Sequence, residues 1–395
     1  MDVVMLGSAG FAGSARIMAD CALVLSRRAD RTTVVTESAP FHLQAGIEEV
    51  AEVALVKASR VASDAVGAGA PLRSLDSLSP FELAEAVVSV VRQAPTLVWS
   101  HYLFPYGAAA MLACEELLAR GVSVRLWLTP AGSDIWQIAP QIPVSTRRML
   151  QSSRVSKVLT YSRRFAREVE AAGDLSAGSV ELFTPAVGAG FEARRLVDCV
   201  ISRQTIGIPR EALVLSSHGN MRPVKAIDHV VQLADEVARR RPGQETWLLL
   251  AGPGDNTSTP KHGLQVARFG VLHDLRDFLW ASDVEVNLSK HDSFNMSIAE
   301  AMTSGTLPLT TDVAGVSEHI QRSGAGLTVP LEEDATPADR RYNTAVDWLV
   351  GLGELSLTER VSAGGRAAEY ARIHFSRAEL ERQLVEHLSS CGLDV

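Results

Sequence analysis

The sequence VEVNLSKHDSFNMSIAEAMTSG, residues 284–305, joins an apolar run to a helical pattern through a polar turn. The run Val284–Leu288 predicts a buried β-strand, because it is short, apolar and followed by turn residues. Either Asp292 or Ser293 can cap the helix that follows, and Gly305 is placed to end it. We therefore expect a strand, a turn and a helix that begins near Ser293.

Strands and helical patterns alternate in the same way along the rest of the chain. This alternation predicts an α/β fold, in which doubly wound, Rossmann-like parallel sheets carry helices on both faces. We expect two such domains, 1–200 and 201–372, facing a central cleft, and a terminal helix in 373–395 that packs back toward the first domain. Candidate strands are Val3–Leu6, Thr33–Thr36, Leu97–Ser100, Val122–Leu128, Val158–Thr160, Val180–Phe183, Leu213–Ser217, Trp247–Ala251, Val284–Leu288, Leu307–Thr310 and Leu327–Val329.

The composition argues against several classes of protein. The 395 residues are 46% apolar, which is enough for two cores, and the net charge of −8 disfavours nucleic acid as a partner. Four cysteines lack metal-ligand spacing, and a chain of this length needs no disulfide framework, so we expect a reduced, cytoplasmic protein. The longest apolar stretch, near 97–118, is interrupted by charged residues and a proline, so we expect no stable membrane insertion. The oligomeric state stays open.

Ligands of such sheets bind at loops that follow the carboxyl ends of strands. The first such loop, Gly7–Ser14, has Gly-x-x-Gly-x-x-Gly spacing and includes Gly13 at the expected helix start. This spacing differs from the dinucleotide fingerprint, which makes a nicotinamide site improbable. The alternatives are a ligand-binding turn and a plain tight turn with Ser14 as its N-cap.

The loop after Leu213–Ser217 contains Gly219, Asn220, Arg222 and Lys225. Two cations beside a helix start suit a diphosphate, because the free N–H groups and the helix dipole also favour an anion there. A solvated basic loop explains the same residues equally well.

Asp292 and Glu300 are eight residues apart, which is about 12 Å along a helix axis. This separation fits a sugar, a diphosphate and a ribose in line, although two unrelated surface acids give the same spacing. In the first half, His101 is either a core histidine or an active base, and Asp134 either caps a helix or binds a hydroxyl. Val271 follows a glycine and can line a base pocket.

Taken together, these turns resemble glycosyltransferase family 4, whose members are retaining enzymes of the GT-B fold. The resemblance covers nearly the whole chain and is strongest from Leu213 to Pro330. The family's Glu-x7-Glu motif corresponds here to Asp292-x7-Glu300. Its other motifs correspond to Gly10–Ser14, Gly219-Asn220…Lys225, Arg268-Phe269-Gly270, Pro308, Ala314-Gly315 and Glu318.

The resemblance implies a hexosyltransferase with a UDP- or GDP-sugar donor and no metal cofactor. The lack of a membrane span or a strongly basic amphipathic helix favours a small soluble acceptor, as in secondary-metabolite or other small-molecule biosynthesis, while a thiol, a lipid or a glycan stays open. Lys225 would neutralise the diphosphate, Asp292 would bind the sugar and Glu300 would bind the ribose. The N–H groups of Ser293–Met296 would receive the phosphates. The implied donor-side residues are Gly13, Gly219, Asn220, Arg222, Lys225, Val271, Asp292, Ser293, Phe294, Asn295, Met296 and Glu300, and the acceptor-side candidates are His101 and Asp134.

The sequence departs from the family pattern at four positions. Asp292 replaces a glutamate, Asn295 a glycine, Asn220 an arginine and Ala131 a histidine. Two other functions therefore stay open: a nucleotide-sugar-binding protein without turnover, and a GT-B nucleotide-sugar epimerase.

Overall fold

The computed structural model describes residues 1–7, 13–36, 53–57, 79–92, 95–188, 190–254, 259–331 and 342–393. They form two compact units, one comprising Met1–Ala186 with Arg377–Val395 and the other comprising Val187–Ser376. Each unit is built on its own parallel sheet. The α/β fold with two doubly wound sheets, as predicted from the sequence, is confirmed.

Over its described residues, the first unit has a seven-stranded sheet of order β3-β2-β1-β4-β5-β6-β7. All neighbouring strands are parallel. The central strands are buried on both faces, as their continuous apolar sequences require. The strands are β1 (Asp2–Leu6), β2 (Arg31–Thr36), β3 (Val53–Lys57), β4 (Thr96–His101), β5 (Val124–Thr129), β6 (Val155–Thr160) and β7 (Val180–Leu182). The helices that precede the second unit are α1 (Gly13–Leu25), α2 (Pro80–Val90), α3 (Ala108–Ala119), α4 (Pro143–Leu150) and α5 (Arg163–Gly173).

The second unit, as far as it is described, has a six-stranded parallel sheet of order β10-β9-β8-β11-β12-β13. Its strands are β8 (Leu213–His218), β9 (Thr246–Ala251), β10 (Gln265–Arg268), β11 (Val284–Asn287), β12 (Leu307–Thr311) and β13 (Leu327–Val329). Its helices are α6 (Leu196–Ile206), α7 (Ile227–Arg240), α8 (Arg276–Ala281), α9 (Met296–Thr303), α10 (Ser317–Ser323), α11 (Asn343–Gly353) and α12 (Leu357–His374). One of its apolar clusters is formed by side chains of these strands and of α7 and α11, and another includes side chains of β8, β9, α8 and α9.

The two units divide at residues 186 and 187 rather than at 200 and 201. The reason is that α6, which the sequence divided between the two domains, packs on α8 of the second unit. The Ser202 hydroxyl donates to Asp277 Oδ1 at 2.8 Å, and Arg194 Nη1 donates to the Trp280 carbonyl at 2.9 Å. The second unit also extends to Ser376, four residues beyond the predicted end.

The last helix, α13 (Arg377–Ser390), belongs to the first unit and packs on α1. Arg377 Nε donates to Asp20 Oδ1 at 2.7 Å, and Arg28 Nε donates to Glu381 Oε1 at the same distance. These ion pairs fix the end of the chain to the first helix of the same unit.

Two edge strands, β3 and β10, are absent from the strands predicted from the sequence. In β10, Gln265 and Arg268 are exposed and the strand has no buried residue, so its composition carries no apolar signal. An edge strand is paired on one side only, which permits this polarity. The interior strands, which are apolar, were all predicted.

Candidate functional site

The polar residues that the sequence singled out in the second half follow two neighbouring strands, β8 and β11. From β8 the chain continues to β9 and β10 on one side of the sheet, whereas from β11 it continues to β12 and β13 on the other. The loops that leave β8 and β11 therefore diverge. Such a switch point opens a crevice at the carboxyl edge of a parallel sheet, where ligands bind.

Three glycines bring the loops after β8, β9 and β10 together. Gly219 has φ +119° and Gly252 has φ +132°. A Cβ atom on Gly252 would lie 1.9 Å from the Gly219 carbonyl oxygen, so only glycine permits this approach. The Gly252 N–H donates to the Gly270 carbonyl at 2.6 Å. Val271 follows this contact, and its side chain is exposed.

The predicted phosphate-binding lysine contacts the predicted sugar-binding acid. Lys225 ends a 3₁₀ turn, Pro223–Lys225, and its Nζ donates to Asp292 Oδ2 at 2.5 Å. The Lys290 N–H donates to the Val224 carbonyl at 2.9 Å, which joins the loop after β8 to the loop after β11. An ammonium group has three donors, so Lys225 can hold Asp292 and a second anion at once. Two further predicted donor-side residues lie exposed in the first of these loops: Asn220 and Arg222.

The helix after β11 begins at Met296, so its predicted start near Ser293 is wrong. Neither Asp292 nor Ser293 is the N-cap, because Asn295 takes that position with φ +87°. Asparagine tolerates this left-handed conformation better than most residues, which fits its place at the family's glycine. Its Oδ1 accepts from the Ile298 N–H at 3.4 Å. The first-turn N–H groups of α9 therefore begin at Met296, so those of Ser293, Phe294 and Asn295 are not part of the helix.

The turn between β11 and α9 is fixed by hydrogen bonds to its own backbone and to the segment after β12. Asp292 Oδ1 accepts from the Phe294 N–H at 3.3 Å. The Asp292 and Phe294 carbonyls accept from the N–H groups of Gly315 at 3.1 Å and Val316 at 2.7 Å. Ala314-Gly315, which resembled the family's later glycine pair, thus positions the turn that carries Asp292.

Glu300 lies within α9, close to His218 and Glu285, which were not singled out from the sequence. His218 Nε2 lies 2.9 Å from Glu300 Oε2, and His218 Nδ1 lies 2.9 Å from Glu285 Oε1. The same Glu285 oxygen accepts the backbone N–H of His218 at 2.8 Å, and the Ser216 hydroxyl donates to Glu285 Oε2 at 2.5 Å. The imidazole is thus enclosed by two carboxylates at the carboxyl end of β8.

The His218 imidazole is protonated in this environment. Burial alone would lower the pKa of this imidazole, but the effect of Glu285 and Glu300 is larger and raises the pKa to about 10. Sequence signals for the cluster existed. Glu285 is a charged residue within the apolar strand β11, and His218 ends β8 directly before the singled-out Gly219. Neither signal showed that the two residues are neighbours.

In the first unit, His101 ends β4 and is fully buried. Burial lowers the pKa of its imidazole to about 3, so the ring is neutral. The ring packs on Trp99 with 4.9 Å between centroids, and in the described ranges neither ring nitrogen has a hydrogen-bond partner. These features favour the core-histidine alternative over an active base.

Asp134 is also buried, and it connects two loops of the first unit. Its Oδ2 accepts from the Leu103 N–H at 2.9 Å, and its Oδ1 accepts from the N–H groups of Gly132 at 2.8 Å and Ala131 at 3.1 Å. Burial raises the pKa of the carboxyl, against the opposing effect of these hydrogen bonds. The carboxylate therefore fixes the Ala131-Gly132 turn and has no exposed surface for an acceptor hydroxyl.

Gly13 is the first residue of α1 and is exposed at its amino end. The Ser14 hydroxyl lies 2.8 Å from the Tyr102 hydroxyl. The remainder of the predicted glycine loop, including Gly10, lies outside the described residues.

Among the described residues, no group of three or more His, Cys, Asp or Glu side chains is placed to hold a metal ion. Every helix in the same part of the chain is too short or too polar to cross a bilayer.

A family model described as "Glycosyl transferases group 1" matches residues 212–340. Among curated proteins, the chain is 28% identical over 218 residues to a D-inositol 3-phosphate glycosyltransferase of Nocardia farcinica, covering 51% of this chain and 46% of that protein. It is 29% identical over 189 residues to a D-inositol 3-phosphate glycosyltransferase of Catenulispora acidiphila, covering 44% and 43%. The chain thus matches about half the length of these relatives.

Solved structures resemble the chain over almost its whole length. HepE of Anabaena, in complex with UDP and glucose, superposes with a TM-score of 0.72 at 16% identity, covering 99% of this chain and 100% of that one. Sucrose-phosphate synthase of Thermosynechococcus elongatus gives a TM-score of 0.71 at 15% identity, covering 99% and 98%. These likenesses confirm the GT-B fold, and the match at 212–340 confirms the resemblance to glycosyltransferases over that part of the chain.

Proposed function

We propose that this chain, whose residues 212–340 form a glycosyl transferase group 1 domain in a GT-B fold, transfers a hexose from a nucleoside diphosphate sugar to a small soluble acceptor. The observation that carries the proposal is the meeting of Lys225, Asp292, the first turn of α9 and Glu300 at the switch point of the second sheet. These groups match the parts of one ligand: a cation and N–H donors for phosphates, and carboxylates for hydroxyls.

The main chemical requirement is stabilisation of the leaving group. Breaking the bond between the anomeric carbon and the phosphate oxygen adds negative charge to the diphosphate. Lys225 and the N–H groups from Met296 onward are positioned before the reaction begins, so little reorganisation is needed when this charge develops. One ammonium group and a helix start supply this stabilisation without a metal ion.

The two acids act at the two ends of the donor. Asp292 is held by Lys225 and by the Phe294 N–H, so its oxygens have a fixed direction toward sugar hydroxyls. Glu300 binds the ribose hydroxyls, because a carboxylate accepts two hydrogen bonds in one plane. The transfer retains anomeric configuration: the acceptor oxygen attacks from the face that the diphosphate leaves, and a phosphate oxygen takes the acceptor proton.

The relatives suggest which substrates to examine first. HepE was solved with UDP and with UDP-glucose, which favours a UDP-sugar over a GDP-sugar as the first donor. The curated relatives are named for D-inositol 3-phosphate, a small hydroxylated phosphate ester, which supports an acceptor of that chemical class.

A thermal-shift screen of UDP- and GDP-sugars would identify the donor, since a ligand that binds the folded state raises apparent stability. The donor is then incubated with D-inositol 3-phosphate, and products are followed by mass spectrometry. Release of the nucleoside diphosphate together with a glycosylated acceptor supports the proposal. Binding without release in the presence of varied acceptors favours a binding protein, and a changed sugar on the nucleotide without an acceptor favours an epimerase.

A further inference from the structure

We infer that His218 and Glu285 are positioning residues, which keep Glu300 ionised and fixed in the orientation that accepts the ribose hydroxyls. The inference rests on the proposed function, since it requires that Glu300 contacts the ribose. It adds two residues of β8 and β11 to the site, although neither needs to touch the ligand.

The strand register brings these residues together. Glu285 pairs with Ser216 across the β11–β8 ladder, and His218 lies two residues further along β8. Residues i and i+2 of a strand project to the same face, so Ser216 and His218 both reach Glu285. The Ser216 hydroxyl donates to one Glu285 oxygen and the His218 backbone N–H donates to the other, so this carboxylate is fixed.

His218 connects the sheet to α9. Nε2 is within hydrogen-bonding distance of Glu300 Oε2, at 2.9 Å, and Nδ1 lies 2.9 Å from Glu285 Oε1 without hydrogen-bonding geometry. The ring thus lies between two carboxylates, which favours its protonated form. The His218 ring also packs against the edge of Phe278, at 5.9 Å between centroids, which limits its rotation. The Glu300 carboxylate is therefore held through Oε2 by a donor that is itself fixed on two sides.

The charges explain why His218 needs Glu285 beside it in order to keep Glu300 ionised. Two buried carboxylates close together repel, and the cation between them offsets this repulsion. Glu285 in turn neutralises the imidazolium, which burial alone would deprotonate. The three side chains thus carry a net charge of −1, with Glu300 as the member on the helix that borders the crevice.

The test compares the affinity of the full chain for UDP and for 2′-deoxy-UDP, measured by calorimetry from pH 6 to pH 9. The variants are His218→Gln, Glu285→Gln and the double variant. We expect the wild type to prefer UDP, and His218→Gln to lose roughly tenfold in UDP affinity, the scale of a charged hydrogen bond. Much less of its affinity for 2′-deoxy-UDP should be lost, and its deficit for UDP should be largest at the low end of the pH range, where repulsion between the two carboxylates most readily favours uptake of a proton.

The variant that combines His218→Gln with Glu285→Gln tests the charge argument most directly, because it should recover the preference for UDP. Removing the second carboxylate returns Glu300 to its ionised form, so preference for UDP should recover and the extra pH dependence should disappear. Glu285→Gln alone should also reduce the preference for UDP, though less than His218→Gln, because His218 still faces Glu300 but loses the charge that contributes most to keeping it protonated. Thr306→Ala is the matched control. It removes a buried hydrogen bond of 2.7 Å from the Thr306 hydroxyl to the Leu279 carbonyl. Thr306 lies at the amino end of β12, whereas the crevice loops leave the carboxyl ends of strands. This substitution should lower stability while leaving the preference for UDP unchanged.

Unchanged preference in His218→Gln, or equal loss in the single and double variants, would overturn the inference. If His218→Gln does not fold, the double variant decides, since loss of the preference for UDP in that folded variant contradicts the charge argument. Failure of the nucleotide site on which the inference rests is distinguishable, because the wild type would then bind neither nucleotide. A chain that binds UDP but transfers no sugar fails the proposed function in the transfer assay alone.

Discussion

Two buried clusters of charge lie in the second sheet, one at the amino end of β11 and the other at the carboxyl end of β8. At the amino end, Asp283 contacts Arg203 Nη2 at 2.8 Å and Arg360 Nε at 3.2 Å. At the carboxyl end, His218 lies between Glu285 and Glu300. Both clusters are buried and charged, so burial and charge alone do not identify a functional site.

The difference lies in what surrounds each cluster. The amino-end arginines donate to backbone carbonyls: Arg203 to Ala281 and Ala212, and Arg360 to Ala212. They join α6 and α12 to the start of β8, and their role is structural. The carboxyl-end cluster instead lies beside diverging loops that carry a partly exposed Lys225. Chemistry at a parallel sheet is expected at that edge.

The largest effect should come from Asp283→Ala. Burial raises the pKa of the Asp283 carboxyl, but Arg203 and Arg360 outweigh this effect and lower it. Removal of the carboxylate therefore leaves buried guanidinium groups without a counter-charge. We expect destabilisation of about 3–5 kcal/mol in denaturant unfolding. The folded fraction should bind UDP as the wild type does. A loss below about 1 kcal/mol would show that the amino-end cluster is not structural.

Lys225→Ala should have the next largest effect, and it should act on binding. We expect UDP affinity to fall by about 1.5–3 kcal/mol, the scale of a charged hydrogen bond, with little change in unfolding. Arg239→Ala is the matched control, because it removes an exposed cation from the other end of α7. Equal UDP affinity in both variants would remove Lys225 from the site.

Substitutions of the two acids should affect different steps, nucleotide binding for Glu300 and sugar transfer for Asp292. Glu300→Ala should weaken binding of free UDP by about 1.5 kcal/mol, because it loses hydrogen bonds to ribose. Asp292→Ala should mainly lower kcat for sugar transfer. Calorimetry and steady-state kinetics on both variants check this division, and the reverse pattern would exchange the two assignments.

The carboxyl-end cluster should also make stability depend on pH. The pKa of His218 is raised from 6.5 to about 10 in the folded chain, so its contribution is fully present below pH 6.5 and is lost as pH rises toward 10. The free energy of unfolding should fall by at least about 1 kcal/mol from pH 7 to pH 9, and less in His218→Gln. Parallel curves for the two proteins would show that the imidazole is not charged in the folded state.

The smallest expected effect is that of metal removal. Because Lys225 and the first turn of α9 stabilise the leaving diphosphate, EDTA should leave the rate of transfer unchanged. The rate is measured before and after dialysis against the chelator. A strict requirement for Mg²⁺ would contradict the metal-free scheme.

The sequence predicted the fold well because interior strands are apolar and strand–helix alternation is regular. It predicted the motif residues of the second unit for the same reason, since each follows a recognisable strand. It placed the start of α9 wrongly, because Asp292 and Ser293 are good N-caps and only tertiary contacts show that Asn295 takes that role. His218 and Glu285 are 67 residues apart, and their pairing follows from sheet order, which the sequence does not show.

The account depends on the carboxyl edge of the second sheet receiving a nucleoside diphosphate. A crystal structure of the chain soaked with UDP tests this most directly. The diphosphate should lie within hydrogen-bonding distance of Lys225 Nζ and the first-turn N–H groups of α9, with the ribose hydroxyls on Glu300. UDP bound elsewhere, while the Lys225–Asp292 pair remains closed over an empty crevice, would contradict the account.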